Sequence, residues 1–324
     1  MKFSEEQLKQ YAAPLSDTEN QKCLNAIGMV RDAMKSLGFT DDGSTIKKMY
    51  EDTYAYTLEM RSISGGRKVR LFLQGSYANN TNVRTQSDVD IAVVQEDVFT
   101  TEYRTDSNAF PQSDKDYNFC TASSSEISFK DEVQKCLEKK FGKDVERGDK
   151  SIKIHGNSYR KDADVVPCRR YRDYRNDYRK DVDNYVPGVI IVSDRGEIVI
   201  NYPEQHISNG RKKNNETNRY YKKMVRIIKM LRYLMCRCGY KEADDVSSFG
   251  LESLLWNLPN ALFTKYGMLC YGFEEIVNYL YQNKDELHSY KEANGIKPLC
   301  ISAGDIEKYK RFIDRLFVFY EYDA

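Results

Sequence analysis

The chain has 324 residues, 40 % of them hydrophobic, which is enough to bury a sizeable core in one large domain or two packed lobes. Fifty Lys and Arg residues against 49 Asp and Glu residues give a net charge of +1, which excludes a histone-like protein and an acidic disordered chaperone. A mean hydropathy of −0.69, without an apolar run near the ~20 residues that a spanning helix needs, excludes a membrane protein. Residues 1–10 lack the apolar stretch of a signal peptide, so we expect a cytoplasmic protein.

The cysteines and histidines give no sign of a zinc site. The eight cysteines form no C-x-x-C pair, and the three histidines are scattered along the chain. We therefore expect reduced thiols, most of them buried.

Hydrophobic spacing predicts a sheet followed by helices. Helices are predicted in the first part over 16–38, 45–63 and 125–141. Strands are predicted over 69–73, 88–94, 151–155, 159–166, 188–192 and 197–200, with a loop over 100–125. Beyond Pro203 only helices are predicted, over 217–238, 248–258, 272–290 and 305–322. The predicted class is α+β, with a mixed-sheet lobe over 1–200 packed on an all-helical lobe over 201–324.

The segment Leu71–Val94 (LFLQGSYANNTNVRTQSDVDIAVV) carries the most informative pattern. A predicted strand leads into Gly75 and Ser76, and Asp88 and Asp90 open the next strand. Because side chains alternate along a strand, the two aspartates project from the same face. Neighbouring carboxylates repel each other unless a cation neutralises them, and oxygen ligands suit Mg²⁺. The Gly-Ser turn can offer backbone N–H groups and a hydroxyl to a phosphate.

This order of strand, Gly-Ser, loop and Asp-x-Asp strand resembles the nucleotidyltransferase signature of the polymerase β-like superfamily. The resemblance implies a polymerase β-like fold for the first lobe and a third carboxylate on a later strand. Asp164, directly before the sequence Val-Val-Pro, matches that position, and Asp162 is the alternative. It also implies that Asp88, Asp90 and Asp164 are catalytic and hold two Mg²⁺ ions, with Mn²⁺ as the alternative metal.

The helical lobe carries a second resemblance. Residues 206–235, followed by 246–259 (VSSFGLESLLWNLP), are similar to the cyclic GMP-AMP synthase and oligoadenylate synthase group, especially to its bacterial members, the CD-NTases of anti-phage (CBASS) signalling. This similarity implies that Lys229 and Ser248 contact nucleotide phosphates and that Phe249 stacks on a base.

The residues of this region also favour phosphate binding. Residues 206–241 hold eleven Lys or Arg and one acid, Glu216. Lys222, Arg226 and Lys229 fall on one helical face, so we expect a basic surface that clamps a triphosphate, with Lys222 and Arg226 as secondary candidates. The alternative is an ordinary solvated face. A second charged stretch, 169–183 (RRYRDYRNDYRKDVD), is interpreted as a salt-bridged surface segment, with base or nucleic-acid contact as its alternative.

We therefore predict a synthase that makes a cyclic di- or trinucleotide second messenger from ATP, GTP or other nucleoside triphosphates, bound in the cleft between the lobes, in antiviral defence. A polyadenylating or tRNA-modifying nucleotidyltransferase, and a catalytically silent nucleotide-binding module, remain alternatives. The lack of a zinc cluster and the near-zero charge argue against DNA activation. The resemblance further implies a ubiquitin-like conjugation partner at the C-terminus, for which a frayed tail is the alternative.

Overall fold

The computed structural model describes residues 3–41, 43, 45–83, 88–105, 113–122 and 127–321. The strands in these ranges are β1 Phe39–Asp41, β2 Lys47–Lys48, β3 Tyr56–Ser62, β4 Lys68–Gln74, β5 Val89–Glu102, β6 Val145–Arg147, β7 Ile152–Ile154, β8 Ala163–Asp173, β9 Val186–Val192 and β10 Ile198–Asn201. The α-helices are α1 Glu5–Tyr11, α2 Asp17–Lys35, α3 Gly75–Ala78, α4 Phe129–Phe141, α5 Pro203–Glu216, α6 Tyr221–Arg237, α7 Lys241–Asp244, α8 Ser248–Trp256, α9 Asn260–Thr264, α10 Leu269–Gln282 and α11 Ala303–Glu321. Short 3₁₀ helices cover Asp114–Tyr117, Gly142–Asp144 and Lys284–Ser289.

The strands form one mixed sheet, whose main path runs β1-β3-β4-β5-β8-β7-β6. β5 and β8 are parallel, whereas the other strand pairs are antiparallel. β2 joins β3, and β9 joins both β8 and β10. The sheet and the helices α2 and α4 belong to one compact unit, Asp17–Gln74 with Asp88–Glu204, which we call the sheet unit. This confirms the predicted α+β class with a mixed sheet.

Both faces of the central strands are buried, because the apolar residues run without interruption. One face carries a cluster that contains Phe72, Ala92, Val94 and Val166. The residues between them along the strands, such as Leu71 and Ile91, point to the opposite face, which α2 and α4 cover. The C-terminal end of β4 and the N-terminal ends of β5 and β8 lie side by side at one end of these buried strands.

The second compact unit consists of the described parts of Met1–Ser16, Gly75–Ser87 and Gln205–Ala324, and we call it the helical unit. Its core joins Leu8 of α1 to Val225 of α6, Phe273 of α10 and Phe312 of α11. The sequence-based division assigned 1–200 to one lobe and 201–324 to the other. The structure groups the described parts of Met1–Ser16 and Gly75–Ser87 with the helices that follow residue 204.

The predicted helix over 45–63 is wrong, because this stretch contains β2 and β3. Its apolar residues recur at helical spacing, but Tyr56, Leu58 and Met60 also alternate with Thr57 and Glu59. In β3 the pattern of burial follows that alternation, with minor departures. Backbone pairing with β1 and β4 decides between the two periods, and it involves residues far apart in the chain.

The second half is helical as predicted, but the helix predicted over 272–290 is α10 followed by a 3₁₀ helix, and the short helices α7 and α9 were not predicted. A helix predicted over 217–238 begins at Tyr221, because Asn218 and Arg219 have positive φ angles of 49° and 65° and end the preceding helix. That preceding helix, α5, was not predicted. Its first residue is Pro203, which suits the first turn of a helix.

The stretch 169–183 is salt-bridged as predicted, for example between Arg170 and Glu96, but it does not lie wholly on the surface, since five of its residues are buried. Tyr174 lies 4.5 Å from Tyr117 between ring centroids, and the Tyr117 hydroxyl donates to the buried Asp177 at 2.6 Å. Arg172 stacks 3.8 Å from the centroid of Phe99. These contacts give the tyrosines and arginines of the segment a structural role within the sheet unit.

All eight cysteines are free thiols, and five of them are buried, which confirms the expectation of reduced thiols. Burial raises the pKa of both Cys136 and Cys168 to about 12. None of the helices in the described ranges combines the length and hydrophobicity that crossing a membrane requires.

Candidate active site

Three aspartates lie at the edge of the sheet where β4 ends and β5 begins. In the strand register Asp90 of β5 is paired with Asp164 of β8, and on its other side with Gln74 of β4. Directly paired residues on neighbouring strands project from the same face. Asp88 is two residues before Asp90 and precedes the first residue of β5. The register of β5 and β8 therefore brings two of the three aspartates into adjacent positions.

The register also separates Asp164 from its alternative. Asp162 precedes β8 and accepts a hydrogen bond from the backbone N–H of Gly156 at 2.5 Å. Asp164 is within β8 and directly beside Asp90. This geometry favours Asp164 as the third carboxylate.

Lys153 of β7 compensates the negative charge of this edge. It is paired in register with Asp164, and its Nζ lies 3.0 Å from an Asp88 oxygen and 3.6 Å from an Asp162 oxygen. The hydrogen bond with Asp88 raises the pKa of Lys153. Burial, together with the negative charge of Asp88, raises the pKa of Asp164 above its ordinary value. The edge thus holds an excess of carboxylates over cations.

Carboxylate oxygens are the donors that Mg²⁺ prefers, so the residue types and their placement along the strands fit this ion. Within the described ranges, no three His, Cys, Asp or Glu side chains converge on one point that could hold a metal. Asp88 is turned towards Lys153. That Asp88, Asp90 and Asp164 hold the metal stays a prediction.

Gly75 and Ser76 directly follow β4 and start the short helix α3, where a turn was predicted. Gly75 has a φ of +69°, which a residue with a side chain rarely adopts. The segment then folds back on itself, since the backbone N–H of Thr81 donates to the Ser76 carbonyl at 2.9 Å. Ser76 is therefore held by its own loop within the helical unit.

The predicted basic face of α6 is buried rather than solvated. Lys222, Arg226 and Lys229 are each about 5 % exposed or less. Arg226 donates to the carbonyl of Ala12 at 2.6 Å and also to the carbonyl of Asn80. This arginine therefore anchors the N-terminal segment and the Gly75–Ser87 segment to α6. Nucleotide contact by these three residues stays a prediction.

Ser248 and Phe249 lie where α8 begins. The N-cap is the preceding residue, Ser247, whose hydroxyl accepts from the N–H of Gly250 at 2.9 Å. This leaves the exposed Ser248 hydroxyl outside the cap. Phe249 is 40 % exposed and packs edge-on against His206, with ring centroids 5.2 Å apart. Both side chains have surface from which they could meet a nucleotide.

The sequence analysis missed Glu252. Its carboxylate is 1 % exposed and accepts from Thr81, Lys229 and His206 at 2.6, 2.8 and 2.8 Å. It is the single charged residue in the otherwise apolar or small sequence of α8, SFGLESLLW. An isolated carboxylate in a buried helix needs a buried cation, and this is the signal that could have found the contact.

Comparison with known proteins agrees with this architecture. Residues 57–180 match the family described as nucleotidyltransferase domain, and residues 208–321 match the cGAS/DncV-like nucleotidyltransferase C-terminal helical domain. The cyclic GMP-AMP synthase CdnE03 of Staphylococcus schleiferi is 45 % identical over 100 % of this chain and 98 % of its own length. The cyclic dipyrimidine nucleotide synthase CdnE of Cecembia lonarensis is 38 % identical over 92 % of this chain and 90 % of its own.

A solved structure is similar over the same extent. The Elizabethkingia meningoseptica CdnE cyclic dinucleotide synthase, determined with GTP and Apcpp, superposes with a TM-score of 0.72 at 30 % identity, covering 99 % of this chain and 100 % of that one. The two domain matches, the relatives that align over nearly the whole chain and the similar solved structure all indicate the same family. The chain is a nucleotidyltransferase and belongs to the CD-NTase family.

Proposed function

We propose that this enzyme joins nucleoside triphosphates into a cyclic di- or trinucleotide, a second messenger of antiviral (anti-phage) defence made in the cytoplasm. The observation that carries the proposal is the pairing of Asp90 with Asp164 on adjacent parallel strands, with Asp88 two residues before Asp90. The names of the relatives supply the product class, because both proteins compared over nearly the whole chain are cyclic nucleotide synthases.

In the proposed reaction a ribose 2′ or 3′ hydroxyl of one nucleotide attacks the α-phosphate of another. The new bond joins that oxygen to phosphorus, the bond to the β-phosphate oxygen breaks, and pyrophosphate leaves. A carboxylate oxygen of Asp164 accepts the hydroxyl proton. A second transfer closes the ring. Positioning and charge neutralisation, rather than a covalent enzyme intermediate, supply the catalysis.

Mg²⁺, with Mn²⁺ as the alternative, would neutralise triphosphate charge and favour loss of the hydroxyl proton when bound by Asp88, Asp90 and Asp164. The carboxylates of these residues orient the reacting groups. The fit rests on the donor chemistry and on the register of β5 and β8.

The helical unit would bind the nucleotides. Lys229 has three ammonium hydrogens, of which Glu252 and Thr81 take two, so the third is available for a phosphate oxygen. Ser248 and the N–H groups at the start of α8 suit a second phosphate contact, and Ser76 a third. The exposed ring of Phe249 suits stacking on a base.

The bases and the partners need direct identification. The relatives are named for cyclic GMP-AMP and for cyclic dipyrimidine products, so base choice varies among similar chains. ATP with GTP is the first pair to test, because the relative that is 45 % identical is named a cyclic GMP-AMP synthase. Conjugation of the C-terminus to a ubiquitin-like protein is part of the proposal, although residues 322–324 lie outside the described residues.

The decisive experiment combines Asp88→Asn with Asp90→Asn. The double variant should abolish product, because neutral amides cannot replace two metal-binding carboxylates. The measurement is mass spectrometry of the products made from all four triphosphates with Mg²⁺ and no RNA. Asp183→Asn, at an exposed position of the sheet unit, is the matched control and should keep wild-type synthesis.

Full Mg²⁺-dependent synthesis by the double variant would contradict the assignment of the site. A wild-type product that forms only when RNA is added would favour the polyadenylating or tRNA-modifying alternative. The absence of pyrophosphate release with every activator tested would favour a silent nucleotide-binding module.

A further inference from the structure

The carboxylate of Glu252 joins four parts of the helical unit. His206 comes from α5, Lys229 from α6 and Thr81 from the Gly75–Ser87 segment, while Glu252 itself belongs to α8. The three donors reach it at 2.6 to 2.8 Å, and all four residues are at most 5 % exposed. Charge-assisted hydrogen bonds of this length are the strong kind. This set of four residues is called the Glu252 cluster below.

The cluster reaches Ser76 through Thr81. The Thr81 hydroxyl donates to Glu252 at 2.6 Å and accepts from Lys229 at 3.2 Å. The Thr81 backbone N–H donates to the carbonyl of Ser76 at 2.9 Å. A second contact joins the same parts, since Asn79 donates to the Gly75 carbonyl at 3.0 Å and lies 3.4 Å from the His206 ring nitrogens. The loop that holds Gly75 and Ser76 is therefore tied to the same carboxylate as Lys229.

Glu252 also fixes the direction of the Lys229 ammonium. Lysine has a flexible stem, and its ammonium can point in many directions when it lies in water. Here two hydrogen bonds, to Glu252 and Thr81, leave one N–H whose direction is determined by the other two. A buried ammonium without a counter-charge would lose its proton or unfold its surroundings. Glu252 thus gives Lys229 a counter-charge and orients its ammonium group.

The charge balance of the cluster agrees with this role. Burial alone would raise the pKa of Glu252, but the neighbouring charge of Lys229 and the contact with His206 hold that pKa well below its ordinary value. Removing the negative charge would leave Lys229 with a neutral partner in a dry site.

We propose that Glu252 is a positioning residue for triphosphate binding, which aligns the Lys229 ammonium and the Gly75–Thr81 loop as one unit. The inference rests on the proposed function, because it assumes that Lys229 and Ser76 bind triphosphate. In this proposal Glu252 does not contact the substrate itself, but it positions Lys229 and Ser76, which do. The effect belongs to nucleotide affinity rather than to the chemical step, because the Asp90 and Asp164 carboxylates are on other elements.

The test is Glu252→Gln, which keeps the shape of the side chain and removes its charge. Titration calorimetry with a non-hydrolysable ATP analogue at fixed Mg²⁺ should show affinity about tenfold or more weaker than wild type, as expected for loss of a buried hydrogen bond to a charged group. In the synthesis reaction KM for the triphosphate should rise by a similar factor, while kcat changes less than KM. Thr81→Val removes the hydroxyl that bonds Glu252 and Lys229 and keeps the size of the side chain. This variant should bind the analogue several-fold more weakly than wild type.

Lys213→Met is the matched control. Lys213 is also a buried cation of the helical unit, with its Nζ 2.6 Å from the Leu258 carbonyl and 2.9 Å from Asn260, but it has no contact with the Glu252 cluster. The control should keep the wild-type affinity. Adding Glu252→Gln to Lys229→Met should weaken binding by a smaller factor than Glu252→Gln does in the wild-type chain, because the part of the effect that passes through Lys229 is already lost.

Several outcomes would overturn the inference. A folded Glu252→Gln protein with wild-type affinity does so, as do additive losses in the double variant, since additivity means independent structural effects. If Glu252→Gln does not fold, Thr81→Val decides, and unchanged affinity of that variant overturns the inference. A wild-type protein that binds no triphosphate analogue overturns the proposed function, and this inference with it.

Discussion

One lysine, Lys153, offsets the negative charge of the aspartates where β5 and β8 begin. Asp88, Asp162 and Asp164 would repel one another, and Lys153 is the cation that approaches two of them within 3.6 Å. The same lysine occupies an Asp88 oxygen that Mg²⁺ would need. The proposed metal site therefore predicts that Lys153 and Mg²⁺ compete for the Asp88 carboxylate, which the Mg²⁺ requirement of the enzyme would reveal.

We expect Lys153→Gln to lower the Mg²⁺ concentration that gives half-maximal synthesis by about two- to fivefold, the worth of a partly exposed ion pair. The measurement is product formation against Mg²⁺ concentration at saturating triphosphate. Lys150→Gln is the control, because its Nζ pairs at 3.2 Å with the exposed Glu197. A Mg²⁺ requirement that stays unchanged or rises would show that Lys153 does not compete with the ion.

The sequence predicted the placement of the aspartates better than that of the cations. Alternation along a strand is a local property, so it correctly set Asp90 and Asp164 on strands with apolar continuations. The position of Lys153 depends on the pairing of β7 with β8, which no local pattern records. The burial of Arg226 depends in the same way on Ala12 and Asn80, more than a hundred residues away.

At the scale of elements, the backbone of the Gly75–Ser87 segment requires glycine at its first residue. Gly75 has a φ of +69° and starts α3 directly after β4. Gly28 makes a useful contrast, because it lies inside α2, its φ is not in the positive range, and an added Cβ would meet no atom within 4 Å. One glycine is required by conformation and the other is tolerated.

We expect Gly75→Ala to lower the free energy of unfolding by about 1–2 kcal/mol, the cost of a left-handed residue with a Cβ. Gly28→Ala should raise the free energy of unfolding by about 0.5–1 kcal/mol, since alanine is the better helix former. Urea denaturation followed by circular dichroism measures both. Equal effects of the two substitutions would show that the conformation of Gly75 is not the cause.

Elements with one clear period were predicted well, and ambiguous ones were not. The predicted strands over 69–73 and 188–192 correspond to β4 and β9, and the predicted helix over 16–38 corresponds to α2. The 45–63 stretch satisfies both the helical and the alternating period, so its identity as strand was decided by its partners in the sheet. The polar α5 has no strong apolar period, and its packing comes from residues such as Ile207 and His206.

At the scale of the whole molecule, the helical unit includes the helix α1, which is about two hundred residues away in the sequence from the other helices of its core. Leu8 and Ala12 belong to the same core as α6, α10 and α11, and Glu5 accepts from the backbone N–H of Cys270 at 2.9 Å. A fragment starting at residue 201 would lack these groups. The net charge of +1 is an average over two regions of opposite charge. One unit holds the carboxylates at the ends of β5 and β8, and the other holds the stretch rich in lysine and arginine.

We expect Leu8→Ala to lower the free energy of unfolding by about 2–5 kcal/mol, the range for truncating a buried leucine. Leu8 is fully buried, whereas Ile301 is 81 % exposed, so Ile301→Ala should change stability by no more than about 0.5 kcal/mol. Thermal and chemical unfolding compare the two variants. A small effect of Leu8→Ala would show that α1 is dispensable to the helical core.

The discontinuity of the helical unit has a consequence for biosynthesis. Phe3 and Leu8 are translated before Phe312 and Phe319, which belong to the same core. At about 5–20 residues per second, translation separates these events by roughly 15 to 60 seconds. The sheet unit ends at Glu204 and has all its residues well before then. During the interval the core that α1 joins is incomplete, so the apolar residues of α1 are open to a chaperone or a neighbouring nascent chain.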